Sequence, residues 1–209
     1  MVLSAELNHE IATHTFSHIV VGDPDCDRDI FRSQLAACKR LHDGLGLPFA
    51  SIVYPRNRVA FVDVLPEFGI TSYRGRQVGT RGGGVAGRAL TLADRIAAPT
   101  PPTYKLPVRG DQRTVNLPAS MLYSSRSGVR RLVPMRSRLR QARRGIREAA
   151  EAGHLFHLWF HPFNLSGDDE LFFGLDTILR RVAEYREAGR LDVLTMQQTA
   201  ERSTASAAL

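Results

Sequence analysis

The sequence predicts an α/β fold in which parallel strands are joined by covering helices. Short apolar, β-branched runs alternate with longer amphipathic segments, which is the pattern that such folds produce. With 209 residues, of which 43% are hydrophobic, the chain can bury one sizeable core. We therefore expect a single domain over residues 1–200 and a flexible tail at 201–209.

Helices are predicted at 27–45, 59–68, 135–152 and 168–188, and strands at 10–14, 51–54, 69–73, 154–160 and 191–195. The first helix has the clearest ends. Asp27 or Asp29 can accept hydrogen bonds from the N–H groups of its first turn, and Gly44 or Gly46 can end it. Residues 75–118 are rich in glycine and proline and predict a long excursion over the rim of the sheet or barrel.

Composition and sequence patterns indicate the location of the chain, the state of its cysteines and the charge of its partners. No run approaches the roughly 18 uninterrupted apolar residues of a membrane helix, and the first residues lack the pattern of a signal peptide, so a cytoplasmic location is expected. Cys26 and Cys38 lie outside any Cys-x-x-Cys pattern and are expected to be buried, reduced thiols. The formal charge of +7 comes almost wholly from arginine and favours anionic partners.

The sharpest local signal is a pair of histidines, His14 and His18, that follows a strand-like run. If the chain turns into a helix there, both imidazoles project from one face and can share a metal ion. Neutral histidine suits zinc and similar divalent ions, which lower the pKa of a bound water to about 7. From the spacing alone, two unrelated histidines at the edge of a loop are an equally good interpretation.

Residues 154–162 form a second candidate region, an apolar run that ends in His-Pro. Strand alternation places His157, Trp159 and His161 on one side, and Pro162 ends the ladder. His161 is therefore expected at the carboxyl end of a strand, where barrel and open α/β enzymes keep their reactive groups. Taken alone, the run favours packing roles for His157 and Trp159 and a plain strand end at His161.

Residues 51–57 repeat this arrangement, because an apolar strand is followed by Pro55, Arg56 and Asn57. We expect Arg56 to lie at the same end of the sheet or barrel as His161, where a guanidinium could orient a carboxylate through a bidentate pair. A solvated arginine at a strand end is the simpler alternative.

Together these segments resemble the polysaccharide deacetylase (NodB-homology) family, in which His-Ser/Thr-x-x-His, a strand end with Arg and Pro, and Leu-x-x-His follow one another. The first motif is matched by His14-Thr15-Phe16-Ser17-His18 and the last by Leu158-Trp159-Phe160-His161. The resemblance spans residues 7–199. It implies a TIM-like fold, namely an incomplete, irregular (β/α)7-type barrel.

The resemblance also implies an activity, that of a metal-dependent hydrolase that removes an N-acetyl group from a polysaccharide or lipid-linked sugar. His14 and His18 would hold a divalent metal, usually zinc, which polarises the acetyl carbonyl and activates water. His161 would protonate the departing amine, and Arg56 would steady the catalytic base. The substrate pocket would be lined by Leu158, Trp159 and Tyr54.

Two features depart from the family pattern. The family's Asp-Asp motif, which supplies the base and the third metal ligand, has no counterpart in residues 1–13, so an N-terminal truncation is expected. The third motif reads Pro55-Arg56-Asn57 in place of Arg-x-Pro. Because a catalytic zinc normally has three protein ligands, the chain is expected to be weakly active or inactive as given. A noncatalytic remnant that binds a glycan or polyanion is the alternative.

Nine arginines lie between residues 126 and 147, the densest cluster of charge in the chain. Such a run is usually a solvated face. The functional interpretation is attraction to an anionic glycan or a sugar phosphate. Nucleic acid is disfavoured, because no aromatic residues are interleaved with the arginines and no reading motif is present.

Overall fold

The computed structural model describes residues 9–77, 92–107 and 113–205. Contacts between Cα atoms divide the chain into two compact units. The first unit comprises residues 1–76, 106–117 and 194–209, and the second comprises 77–105 and 118–193. The single-domain organisation stays a prediction, and the glycine-rich stretch at 78–91 lies outside the described residues.

The first unit is built on a parallel sheet whose strands are arranged in chain order. Strands β1 (Ser51–Val53), β2 (Ser72–Arg74) and β3 (Val115–Asn116) pair side by side. Thr13 adds a parallel bridge to Ile52 on the other edge of β1. Parallel pairing carries the carboxyl end of each strand to the same edge of the sheet, which is where the predicted site residues of this unit begin.

Helix α1 (Arg28–Gly44) packs an apolar face onto this unit. Its buried residues recur at helical spacing: Phe31, Leu35, Cys38 and His42. Of the two predicted capping residues, Asp27 is the one that acts, because its carboxylate accepts hydrogen bonds from the backbone N–H groups of Asp29 and Ile30 at 3.0 and 2.8 Å. The prediction of this helix is confirmed. Both cysteines, Cys26 and Cys38, are buried and form no disulfide.

The second unit pairs strands β4 (Met121–Leu122) and β5 (Leu158–Trp159) in parallel. Helices α2 (Met135–Ala152) and α3 (Asp169–Glu187) pack against each other beside them. Both helices lie where the sequence predicts them. Gly145 permits a close approach inside this unit, because a Cβ atom there would lie 2.4 Å from the Phe156 ring.

Several predicted elements are shorter than expected or of another kind. Residues 62–68 form a 3-10 helix in place of an α-helix, and Pro66 lies inside it. The strand predicted at 10–14 is reduced to the bridge at Thr13, and only residues 158 and 159 of the run 154–160 form a ladder. The strand predicted at 191–195 is wrong, because its backbone joins no ladder. An apolar run alone does not fix the length of a strand, because a ladder also needs a partner strand.

The C-terminal part of the first unit is helical. Helix α4 (Met196–Ala205) includes residues 201–205, which the sequence places in a flexible tail, and Ser203 is fully buried. The hydroxyl of Ser203 donates a hydrogen bond to the carbonyl of Thr199 at 2.9 Å. Within the described ranges the strands form one three-stranded and one two-stranded parallel sheet, and the seven-stranded barrel stays a prediction. None of the described helices is long and apolar enough to cross a membrane.

The cap of α1 yields a first testable prediction. Asp27→Ala removes the acceptor for two N–H groups of the first turn, so the free energy of unfolding is expected to fall by about 1 kcal/mol. Urea unfolding followed by circular dichroism measures the change. Asp25→Ala is the matched control, because Asp25 is exposed and lies outside the helix. An equal loss in both variants would contradict the capping role.

Candidate functional site

His14 is positioned by the backbone of β1. Thr13, the residue before it, donates its N–H to the carbonyl of Ser51 and accepts from the N–H of Val53, both at 3.0 Å. The next step along the chain brings the Nδ1 atom of His14 to 2.5 Å from the carbonyl oxygen of Val53. A carbonyl only accepts, so Nδ1 carries the proton and the lone pair of the ring is on Nε2.

His18 returns to His14 through a loop, not through the helix that the spacing suggests. The two ring centroids lie 4.8 Å apart, and the ring planes meet at 72°. Thr15 and His18 have positive φ angles of 61° and 58°, a conformation that non-glycine residues adopt at a cost of about 1–2 kcal/mol each. The two rings do lie side by side, but the helix on which the prediction of a shared face depended is absent at residues 14–18.

The strained loop is anchored to helix α1. The backbone N–H of Ser17 donates to the side-chain oxygen of Gln34 at 2.8 Å, and its hydroxyl donates to the same atom at 3.0 Å. The side chain of Thr15 is buried, and its hydroxyl has no hydrogen-bond partner in the part of the chain that is described. Backbone strain and an unsatisfied buried hydroxyl are features that folded proteins retain mainly at functional positions.

The histidine pair, His14 and His18, fits a divalent metal in its donor chemistry. Metal-binding histidines commonly donate the second ring N–H to a carbonyl, which fixes the tautomer, and His14 makes this bond to Val53. His18 is exposed, so its ring can be reached from solvent. Over residues 9–77, 92–107 and 113–205, no group of three or more His, Cys, Asp or Glu side chains could hold a metal ion. The pair is therefore an incomplete ligand set.

The end of β1 carries the other predicted residues of the first unit. Tyr54 is buried to 1% exposure between Phe31 and Tyr73, with ring centroids 5.9 and 6.0 Å away. Burial raises the pKa of its phenol above the usual range. Arg56 is exposed and stands in a left-handed conformation with φ of 52°, inside the 3-10 turn Pro55–Asn57. The structure thus places Tyr54 in the core and Arg56 at the surface.

Arg74, at the end of β2, was not singled out by the sequence. Its side chain is 8% exposed and donates to the side-chain oxygen of Asn57 at 2.8 Å, which links the ends of β2 and β1. Burial lowers the pKa of its guanidinium to about 10. Arginine is rarely buried. The sequence signal that could have drawn attention to Arg74 is its position directly after the strand predicted at 69–73.

In the second unit the predicted residues lie on and just after β5. Leu158 and Trp159 are half-buried, and the rings of Trp159 and His161 meet edge to face with centroids 5.5 Å apart. This contact agrees with the predicted alternation along the strand. Beyond it, Pro162 starts a 3-10 turn, and Phe163, 72% exposed, stacks on His161 at 4.9 Å. His161 is itself exposed at the strand end.

The predicted site residues therefore fall into two groups. His14, His18, Tyr54 and Arg56 belong to the first unit, and the second unit contains Leu158, Trp159 and His161. Comparisons with models of protein families, with curated proteins and with solved structures find no match for this chain. The geometry within each unit is accordingly what supports a function.

The left-handed turn after β1 gives a second prediction. Arg56→Gly removes the Cβ that makes a φ of 52° unfavourable, so the free energy of unfolding is expected to rise by about 0.5–1 kcal/mol once the greater entropy of glycine in the unfolded chain is allowed for. Thermal and urea unfolding measure it. Arg56→Ala is the matched control, since it removes the same guanidinium but keeps the strain. A gain in the alanine variant equal to that of glycine would show that charge, not backbone conformation, sets the stability of the turn.

Proposed function

We propose that this chain is a metal-dependent hydrolase of the polysaccharide deacetylase kind, with His14 and His18 as metal ligands. One observation carries the proposal: two imidazoles stand 4.8 Å apart, and one of them is fixed by a hydrogen bond from Nδ1 to the carbonyl of Val53. A buried packing histidine needs no such partner ring. A ligand histidine needs both a fixed tautomer and a neighbour that can share the ion.

The bound ion, zinc by preference, would supply a polarised acyl carbonyl and a nucleophilic water near neutral pH. The chain's part is to orient the ligand atoms. The hydrogen bond to Val53 holds the His14 ring against β1, and the bonds from Ser17 to Gln34 hold the loop that presents His18. Rigid support of this kind reduces the ordering that the ligands undergo when an ion binds.

The proposed substrate is an N-acetylated saccharide, on the strength of the ordered motifs in the sequence. His161 is proposed as the acid that protonates the departing amine, because it is the histidine of the Leu-x-x-His motif and histidine is the residue most often used as a general acid. The rings of Trp159 and Phe163 flank it and offer aromatic surface of the type that lines small-molecule sites. Leu158 keeps the role of a pocket residue that the resemblance implies. In the family pattern Arg56 would steady the base of the Asp-Asp motif, which has no counterpart in residues 1–13.

Zinc binding by the chelator-treated protein tests the metal site. Isothermal titration calorimetry is expected to show about one zinc ion per chain, and His14→Ala and His18→Ala are each expected to lower the affinity by more than about 10-fold, since each removes a direct ligand. His9→Ala is the matched control, because His9 is an exposed histidine of the same unit outside the pair. Equal zinc affinity in all four proteins would overturn the metal site.

Hydrolysis is tested separately with the zinc-loaded protein and oligomers of N-acetylglucosamine, by measuring released acetate. His161→Ala is expected to lower kcat by about 10²–10⁴-fold while zinc affinity stays unchanged, because a general acid contributes in that range without binding the ion. The His9→Ala protein again serves as control. An unchanged kcat in His161→Ala would remove His161 from the mechanism. A protein that binds zinc yet releases no acetate would refute the hydrolase and leave a noncatalytic metal-binding protein.

A further inference from the structure

The arginines between residues 126 and 147 fall into two structural sets. Some of them hold the fold together. Arg138 is buried and donates to the carbonyls of Ser124 and Arg130 at 2.7 and 2.9 Å, and Arg144 donates to the carbonyl of Ala98 at 2.7 Å. The Arg138 guanidinium is thereby held inside the second unit, whereas Arg144 makes its bond to Ala98 and also lines the groove between helices α2 and α3.

Four others form an exposed arginine row on helix α2: Arg136, Arg140, Arg143 and Arg147. Their spacing of four, three and four residues places them within about 60° of one another around the helix axis, at 100° per residue. The buried residues of α2 occupy the opposite face. No member of the arginine row forms an ion pair with a carboxylate in the described ranges, so the charge of the row is uncompensated there.

The arginine row forms one wall of a groove of about 910 Å³ between α2 and α3. Seven of its eleven lining residues are arginines, and Glu184 is the single acid among them. On the α3 side, Arg180 is paired with Asp176 at 2.7 Å and Arg181 with Glu184 at 2.6 Å. The net positive potential of the groove therefore comes from α2, from the arginine row and from Arg144.

This arrangement is unfavourable for the helix alone. Like charges four residues apart repel each other, and Arg136 lies in the first turn of α2, where the helix dipole disfavours cations and no acidic residue offsets it. A bound anion would relieve both effects, because it would neutralise neighbouring guanidiniums at the same time.

We propose that this groove binds a linear polyanion that carries phosphate groups along its length. The arginine row extends over eleven residue steps, or about 16 Å of helix, so several successive phosphates can each meet a guanidinium. Unlike the proposed hydrolase activity, this binding depends on no residue of the histidine pair.

The groove is less suited to single-stranded nucleic acid, whose bases require open aromatic faces on which to stack. Tyr185 is the one aromatic residue that lines it, and it is 6% exposed. The guanidiniums of Arg181 and Arg190 lie 4.7 and 4.6 Å from the centre of its ring, and they occupy the space that a base would need. A polyanion without bases fits this surface better.

Binding of fluorescently labelled short-chain inorganic polyphosphate, measured by anisotropy over a range of salt concentrations, tests the proposal. The triple variant Arg140→Gln, Arg143→Gln, Arg147→Gln is expected to bind at least about 10-fold more weakly and to show a slope of log affinity against log salt that is lower by about 2, since three phosphate contacts are lost. Circular dichroism and zinc titration on the same variant should match the parent protein. A variant that binds polyphosphate as tightly as the parent would overturn the proposal.

The matched control removes three exposed arginines that lie outside the groove: Arg40→Gln, Arg76→Gln and Arg186→Gln. Both triple variants lower the formal charge of +7 by three, so they differ only in the position of the lost charge. The control is expected to lose less than about 2-fold in affinity. An equal loss in both would show that net charge, not the groove, attracts the ligand. Tighter binding of single-stranded RNA or of anionic lipid vesicles than of polyphosphate would likewise reject the proposed ligand class.

Discussion

The backbone of β1 is the constraint on which the histidine pair depends. Within three residues, Ser51 accepts from Thr13, Val53 donates to Thr13, and the carbonyl of Val53 accepts from the ring of His14. The first two bonds fix the register of the chain before His14, and the third fixes the tautomer of the ring itself. A shift of one residue in this register would turn His14 to the other face of the sheet and abolish all three bonds.

Helices α1, α2 and α3 were predictable because the signals that define them are local. Asp27 and Asp168 each cap the helix that begins at the next residue, by accepting hydrogen bonds from N–H groups two or three residues further along. The apolar face of α2 is visible in the spacing of its own residues. The strands were harder, because the length of a ladder depends on a partner that is distant in sequence. The run 154–160 is apolar enough to predict a strand over its whole length, yet only Leu158 and Trp159 pair with β4.

The candidate site shows the same division between local and non-local information. The spacing of His14 and His18 allows the two rings to meet but equally allows them to be unrelated. The left-handed residues that bring them together are not visible in the sequence, since strain of this kind persists only when surrounding contacts enforce it. Here the bonds from Ser17 to Gln34 provide such contacts. The burial of Arg74 was hard to predict for a related reason, because its partner Asn57 comes from another strand end.

The arginines of α2 show what helical periodicity can predict about a charged segment and what it cannot. At 100° per residue, Arg138 falls on the side of the helix that Ile146 and Ala149 bury, whereas Arg140 and Arg147 fall opposite. Sequence alone could therefore have separated an inward guanidinium from outward ones. What it could not supply is the second wall: Arg180 and Arg181 come from α3, and only the packing of the two helices converts an exposed row into a groove. A solvated helix face and a groove differ in that enclosure, because a cleft with low-dielectric walls concentrates the field of the arginine row on an anion inside it.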